Sequence, residues 1–298
     1  MLHRQLPLLI VIIAVGHAAA DEPLQWKLNP GQSLPLAIEQ TYESTLHTGS
    51  GDVSSSSTQQ VDLSWKANDG AEQVGAVRIE QEISRIRFGF NAPGGQGYEF
   101  DTDSSEPPQG LAAMIASLYR AMVENNAAFL LSARGDVSGF EPPEAVLESL
   151  KNLPGAAAAG EGADIYVQLL RPAVCQFPAG EVEPGQQWTA TVGMPVATPG
   201  LGAATLTYSY RGEREVGGRT YAAIDVELTG FKPPEKSDQS IDIQVIESGG
   251  EVLFDREAGV VYSARLKSRF ALAIKVGDEP TTGEATQSVV VEAGPVED

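Results

Sequence analysis

VVYSARLKSRFALAI, residues Val260–Ile274, decides the fold. Its even positions, Val260, Tyr262, Ala264, Leu266, Ser268, Phe270, Leu272 and Ile274, are mostly apolar. Between them stand Ser263, Arg265, Lys267 and Arg269. Successive side chains of a strand point to opposite faces, so a period of two with one basic face predicts a half-buried antiparallel strand. The same alternation recurs outward from this run. Leu34, Leu36, Ile38 and Tyr42 share one parity, as do Val61, Leu63 and Trp65. Leu206, Tyr208 and Tyr210 do so later, then Ile224, Val226 and Leu228. Between Val77 and Phe90 the parity flips: Val77, Ile79 and Ile83 are odd, whereas Ile86, Phe88 and Phe90 are even. One extra residue in a strand produces such a flip, so a bulge or sharp bend is expected near Ser84-Arg85.

Turn chemistry separates the runs. Thr48–Asp52, Asn68-Asp69-Gly70, Pro93-Gly94-Gly95 and Glu213–Gly218 read as hairpin loops, and Gly259 can supply a positive φ after Asp255. The serine run Ser54–Ser57 reads either as a flexible linker or, since the parity continues into Val61, as an exposed strand. Helical spacing is confined to the middle. Leu111, Met114, Ile115, Leu118, Tyr119 and Met122 form one apolar stripe, with Pro107-Pro108 suited to its entry. Shorter helices are expected over 143–150 and 163–170, separated by the small-residue linker 155–160. Pro30-Gly31-Gln32 and Pro184-Gly185-Gln186 each precede a series of alternating runs, which reads as an internal repeat. The expected fold is therefore α+β, mostly β: two related antiparallel β-meanders of long curved strands with a helical segment between them. The divisions are a signal peptide over 1–20, an N-terminal meander over 21–104, a helical segment over 105–180 with a β-hairpin near 127–140, and a C-terminal meander over 181–298.

The first twenty residues carry an export signal. Arg4 stands in a short head, Leu6–Val15 is almost wholly apolar, and Ala18-Ala19-Ala20 supplies an Ala-x-Ala site. This is the pattern of a secretory signal peptide, cleaved after Ala20 to leave Asp21 as the mature N-terminus. The apolar run is short of the about 20 residues a spanning helix needs, and no later segment is apolar enough to span. The expected location is outside the cytoplasm, periplasmic or extracellular.

The chain holds 20 basic and 40 acidic residues, a net charge of −20, and the leader would remove one more cation. Such a charge repels phosphate backbones and anionic lipid surfaces, so nucleic acid is not an expected partner. Its hydrophobic content of 42% suffices for a core. The single cysteine, Cys175, has no partner for an internal disulfide. In Ala173-Val174-Cys175-Gln176-Phe177, without a His or Lys neighbour, it reads as a buried, inert thiol.

The order of several short motifs resembles an exported bacterial family, domain of unknown function 6263. The stretches are Trp26–Gln32, Ile83–Phe90 with Pro93-Gly94-Gly95, Gly110–Ala113, Ser132–Val137, Pro184–Trp188 and Phe254–Gly259. Together they cover most of the mature chain. The resemblance implies export and a β-rich fold, and implies no activity, ligand or site residue.

Catalytic chemistry finds little material. Of three histidines, His3 and His17 would leave with the leader, and His47 reads as a solvated residue beside a Gly-rich loop. No Gly-x-Ser-x-Gly elbow, phosphate-binding Gly-Lys-Ser/Thr loop or His-Glu-x-x-His occurs. Asp101-Thr102-Asp103-Ser104-Ser105-Glu106 begins like a calcium loop, but Glu106 stands where the turn needs Gly and Ala112 where a bidentate acid belongs. No metal, cofactor or catalytic residue is assigned. Three functions are weighed. The first is a non-catalytic binding or interaction module of the envelope or secretome, with an envelope protein as partner. The second is a carrier holding a hydrophobic small molecule in a sheet-and-helix cavity, with Leu111, Ile115, Tyr119, Phe270 and Leu272 as candidate lining. The third is a carboxylate-based hydrolase, since distant acids can converge in a fold.

Overall fold

A computed structural model describes residues 23–69, 75–95, 97–151, 173–195, 201–232, 240–276 and 279–297. The leader, the linker 155–160 and the helix expected over 163–170 lie outside them. The chain is mostly strand. In the N-terminal half run β1 (Ser33–Thr48), β2 (Gly51–Asn68), β3 (Ala76–Asn91) and β4 (Gly97–Asp101). Then come α1 (Leu111–Glu124), β5 (Ala127–Ser132), β6 (Val137–Glu141) and α2 (Glu144–Lys151). The C-terminal half supplies β7 (Gln187–Pro195), β8 (Leu201–Val216), β9 (Arg219–Lys232), β10 (Ser240–Asp255), β11 (Val260–Val276) and β12 (Glu279–Ala293).

All strands join one sheet in the order β6-β5-β3-β2-β1-β12-β11-β10-β9-β8-β7, with β4 also on β3. The first and last strands meet: β1 pairs antiparallel with β12 from Leu36 opposite Ala293 to His47 opposite Thr282. β12 is not conspicuous in sequence, because its inward positions near this seam are small. Gly283 is one of them, and a methyl there would lie 2.3 Å from the Thr45 carbonyl oxygen.

The alternation explains which face is buried. Leu36 lies opposite Leu63, and Ile38 opposite both Val61 and Val291. All five of these residues and their neighbours Leu34 and Trp65 are buried. The expected bulge is present: Asp62 faces Arg85 and Leu63 faces Ile83, leaving Ser84 extra, so Ile83 and Ile86 both reach the inner face. A second bulge corrects the reading of β11. Leu253 faces Ser263 and Phe254 faces Val261, so Tyr262 is the extra residue. Val261 is therefore buried inside, while Tyr262 is 39% exposed, stacked on Tyr221 at 4.5 Å on the outer face. Beyond the bulge the expected order holds, with Phe270 buried and Lys267 and Arg269 exposed.

The sheet curls. Trp26 lies 6.0 Å from Trp65 of β2 and 5.9 Å from Phe254 of β10, ring centre to ring centre. Four strand spacings separate β2 from β10, about 19 Å if the sheet were flat. One indole touches both only because the inner faces turn toward each other. The chain around Trp26 runs inside this curl. Its N–H donates to the Ala133 carbonyl at 2.9 Å and that of Lys27 to the Gly259 carbonyl at 3.0 Å. The segment around Cys175 lies beside it, with Phe177 N–H donating to the Arg134 carbonyl at 2.8 Å and Phe177 packed on Phe254.

The turns before β1 and before β7 are built alike. Gln32 N–H donates to the Asn29 carbonyl (3.0 Å) and Gln32 Oε1 accepts from Asn29 N–H (3.0 Å). Gln186 and Glu183 repeat both bonds at 2.9 and 3.1 Å. Gly31 then donates to Ala67, and Gly185 to Tyr210, at 2.8 and 2.7 Å. Their φ values of 93° and 90° are those of the third residue of a Pro-Gly type II turn, which only glycine adopts without strain.

At the far end of β1, His47 Nδ1 lies 2.8 Å from Asp52 Oδ1 across the hairpin, and both side chains are more than half exposed. Exposed pairs contribute little, so His47→Ala should change unfolding free energy by less than about 0.5 kcal/mol in a urea titration. A shift of several times that size would place His47 in a role the exposed geometry does not provide.

Candidate functional site

An apolar, half-open cavity of about 140 Å³ lies on the inner face of the C-terminal half. Strands β8, β9, β11 and β12 form its floor through Leu206, Tyr208, Val226, Leu266 and Val289. Val174 and Cys175, from the segment inside the curl, cover it. That cover is held by indoles. Trp26 Nε1 donates to the Cys175 carbonyl at 3.0 Å, and Trp188 Nε1 to the Gln176 carbonyl at 2.7 Å. Trp188 itself stacks on Tyr208, at 5.5 Å and 15°.

The floor is thin where β9 and β10 part. Among the described residues their backbone pairing ends at Val226 opposite Gly250. Past that point Leu228 N–H donates instead to the Ser248 hydroxyl at 2.9 Å, and Ser248 meets Ser268 at 2.9 Å. Gly250, where the pairing ends, is packed tightly on β11: a Cβ there would lie 2.0 Å from the Arg265 carbonyl oxygen. The sheet thus leaves space beside Leu228 and Ser268, and polar atoms mark one end of an otherwise apolar lining.

Of the five residues expected to line a cavity, the four whose side chains are described fall in two separate places. Ile115 and Tyr119 pack in the N-terminal half, where α1 lies against β3 and β4. There Tyr119 is buried beside Phe88 and Phe100, with its hydroxyl accepting from Gln59 Nε2 at 3.3 Å. Burial pushes the Tyr119 phenol far above its usual range. The Leu111 side chain lies outside the described residues. Phe270 and Leu272 belong to a small cluster with Ala204 and Leu228, two residues that also line the cavity. None of the four whose side chains are described lines it directly. The actual lining was out of reach of sequence patterns because its cover, Val174-Cys175, arrives from a segment without periodicity.

The other candidates are occupied otherwise. Asp101 accepts two bonds from Arg85, at 3.0 and 2.5 Å, and Asp103 lies 3.3 Å from the same guanidinium. Arg85 holds the Asp101 carboxyl below its usual range. Thr102 Oγ1 accepts from Ile86 N–H at 2.9 Å, so this loop fastens β4 to β3. Among the described residues no group of three or more His, Cys, Asp or Glu side chains could hold a metal ion. Cys175 is buried, and burial pushes its thiol far above the usual range. Among the described residues, no Asp or Glu lines the cavity. No described helix is long and apolar enough to cross a membrane.

No family model and no curated protein matches the chain. Among solved structures it is similar to lipovitellin, in a structure described by its lipid–protein interactions. The TM-score is 0.51 and the identity 12%, over 91% of this chain and 26% of that one. The chain thus spans about a quarter of that protein's length, and the likeness is one of fold. An outer membrane channel from Pseudomonas putida aligns over 90% of this chain and 97% of its own, at 9% identity and a TM-score of 0.25, which does not establish a common fold.

Proposed function

We propose that the protein is an exported, non-catalytic carrier that holds a small hydrophobic molecule on the inner face of its sheet. The observation that carries this reading is the half-open apolar cavity between β8–β12 and the Cys175 segment. Small-molecule sites are concave and mostly apolar with a few placed polar groups, and this lining has that composition. Its volume is close to the about 150 Å³ of an apolar cavity that takes up benzene. It therefore accommodates one ring or a short stretch of alkyl chain, with the remainder of a longer ligand emerging on the open side. The shared fold with part of lipovitellin supports the choice of a hydrophobic ligand over a protein partner. The leader sequence supports a periplasmic or extracellular site of action. The matched turns at Asn29–Gln32 and Glu183–Gln186 support two related β-meanders as the origin of the sheet, and the motif order supports grouping the chain with domain of unknown function 6263.

Nile red, a neutral dye that fluoresces in apolar surroundings, tests the carrier reading. The mature chain should bind it saturably at one equivalent. Ala264→Phe, which places a ring among the lining residues, should abolish saturable binding while the circular dichroism spectrum stays that of the parent. Unsaturable binding, or equal binding by a folded Ala264→Phe, would overturn the reading. Ala204→Leu serves as a milder filling variant if the phenyl ring prevents folding.

A further inference from the structure

We infer that the cavity selects an uncharged alkyl molecule with one hydrogen-bonding head, such as an alcohol or ester, and that Gln40, Gln287 and Ser268 receive the head. The inference rests on the carrier reading and adds the ligand's chemistry to it. All three residues are in the lining, and strand register places them side by side. Gln287 lies directly opposite Ser268 across β12 and β11. Gln40 lies opposite Val289, two residues along the same strand from Gln287. On one face of a sheet such positions are direct or diagonal neighbours. The amides of Gln40 and Gln287 hydrogen-bond to no other described residue, so together they offer donors and acceptors to a guest. The Ser268 hydroxyl uses one contact, to Ser248, of the three it can make.

Among the described residues that line the cavity, none turns a charge toward this corner. The one ionisable cation in the lining, Arg265, alternates to the outer face between Ala264 and Leu266. Its side chain is 69% exposed there and lies 3.7 Å from Glu292. A carboxylate entering the cavity would give up its hydration for neutral dipoles alone, which is costly without a cation. The field of a chain with net charge −20 opposes its approach as well. An alcohol or ester loses little, because two amides and a hydroxyl replace its water.

Displacement of Nile red from the mature chain by 1-decanol and by decanoate, at about pH 8 where the acid is fully ionised, tests this. Decanol should displace the dye at a free concentration at least about tenfold lower than decanoate. Greater hydrophobicity alone would also favour the alcohol, so the variants decide. Gln287→Leu should weaken decanol several-fold more than it weakens Nile red. Gln287→Lys should strengthen decanoate about tenfold by supplying the missing cation. Decanoate binding as tightly as decanol, or indifference of both ligands to both Gln287 variants, would overturn the inference while the dye still binds. Loss of saturable dye binding in the parent protein would instead sink the carrier reading, and the inference with it. Gln40→Leu and Gln40→Lys repeat the comparison if either Gln287 variant fails to fold.

Discussion

Phe270→Asp should lower the thermal midpoint by about 10 °C, whereas Lys267→Asp, three residues away in the same strand, should move it by only a few degrees. Phe270 is 4% exposed and lies opposite Ala285 of β12 and Val245 of β10, in the cluster that extends the cavity floor. Removing a buried phenyl ring costs about 3–5 kcal/mol, and a carboxylate left among the apolar neighbours Ala204, Leu228 and Ala285 adds a desolvation cost. For a chain of this size each kcal/mol lowers the midpoint by roughly 2–4 °C. Lys267 points outward between Gly249 and Ser288 and stays hydrated in either form. Its replacement adds negative charge to an acidic surface, an effect of about 1 kcal/mol or less. Both changes introduce the same residue into the same strand, so strand propensity largely cancels. Equal losses would mean that β11 is covered on both faces, and the one-sided burial described above would be wrong.

Gly135→Ala should be nearly as damaging, although it adds one methyl group. Gly135 has φ +83°, a conformation that costs an L-residue roughly 1–2 kcal/mol. The added Cβ would also lie 2.2 Å from the Cys175 carbonyl oxygen and 3.0 Å from Trp26 Nε1. Those two atoms are hydrogen-bonded to each other, and the bond anchors the cavity's cover. Backbone atoms cannot rotate aside, so the Cys175 segment must move and the indole loses its acceptor. A combined loss of about 3 kcal/mol or more is expected in chemical denaturation. Gly31→Ala is the control. Its φ is +93°, but nothing lies within 4 Å of the added Cβ, so only the backbone strain should appear. Similar losses at the two glycines would show that the Cys175 segment does not rest on the Ser132–Asp136 turn. The same Gly135 variant should bind Nile red more weakly, because the moved segment is the cover itself.

Most of the strands could be read from the chain alone, since a strand's two faces leave a period of two in the sequence that needs no knowledge of a partner. That is why β1, β2, β3, β8, β9 and β11 are visible in Leu34–Ile38, Val61–Trp65, Ile79–Phe90, Leu206–Tyr210, Ile224–Leu228 and Ala264–Phe270. The Ser84 bulge was legible for the same reason, as a change of parity between two strong apolar runs. The turns at Pro30-Gly31 and Pro184-Gly185 were legible because their φ values restrict the residue type. At Tyr262 the parity argument failed. An aromatic ring on either face continues an apolar run, and only the register with Leu253 and Phe254 shows that it points outward.

The tertiary structure decided everything that depends on contacts across hundreds of residues. Pairing of β1 with β12 joins the two halves, yet Gly283 and Ala285 carry no alternation strong enough to announce a central strand. Trp26 and Cys175 lie in segments without periodicity, and their positions follow from the shape of the curl and from carbonyls at Ala133 and Gly259. The cavity arises from two such features at once: the parting of β9 from β10 and the crossing of Val174-Cys175. Gln40, Ser268 and Gln287 look in sequence like ordinary interruptions of apolar runs. Only strand register gathers them at one corner, because hydrogen bonding between strands, and not the order of residues along any one of them, determines which interruptions become neighbours.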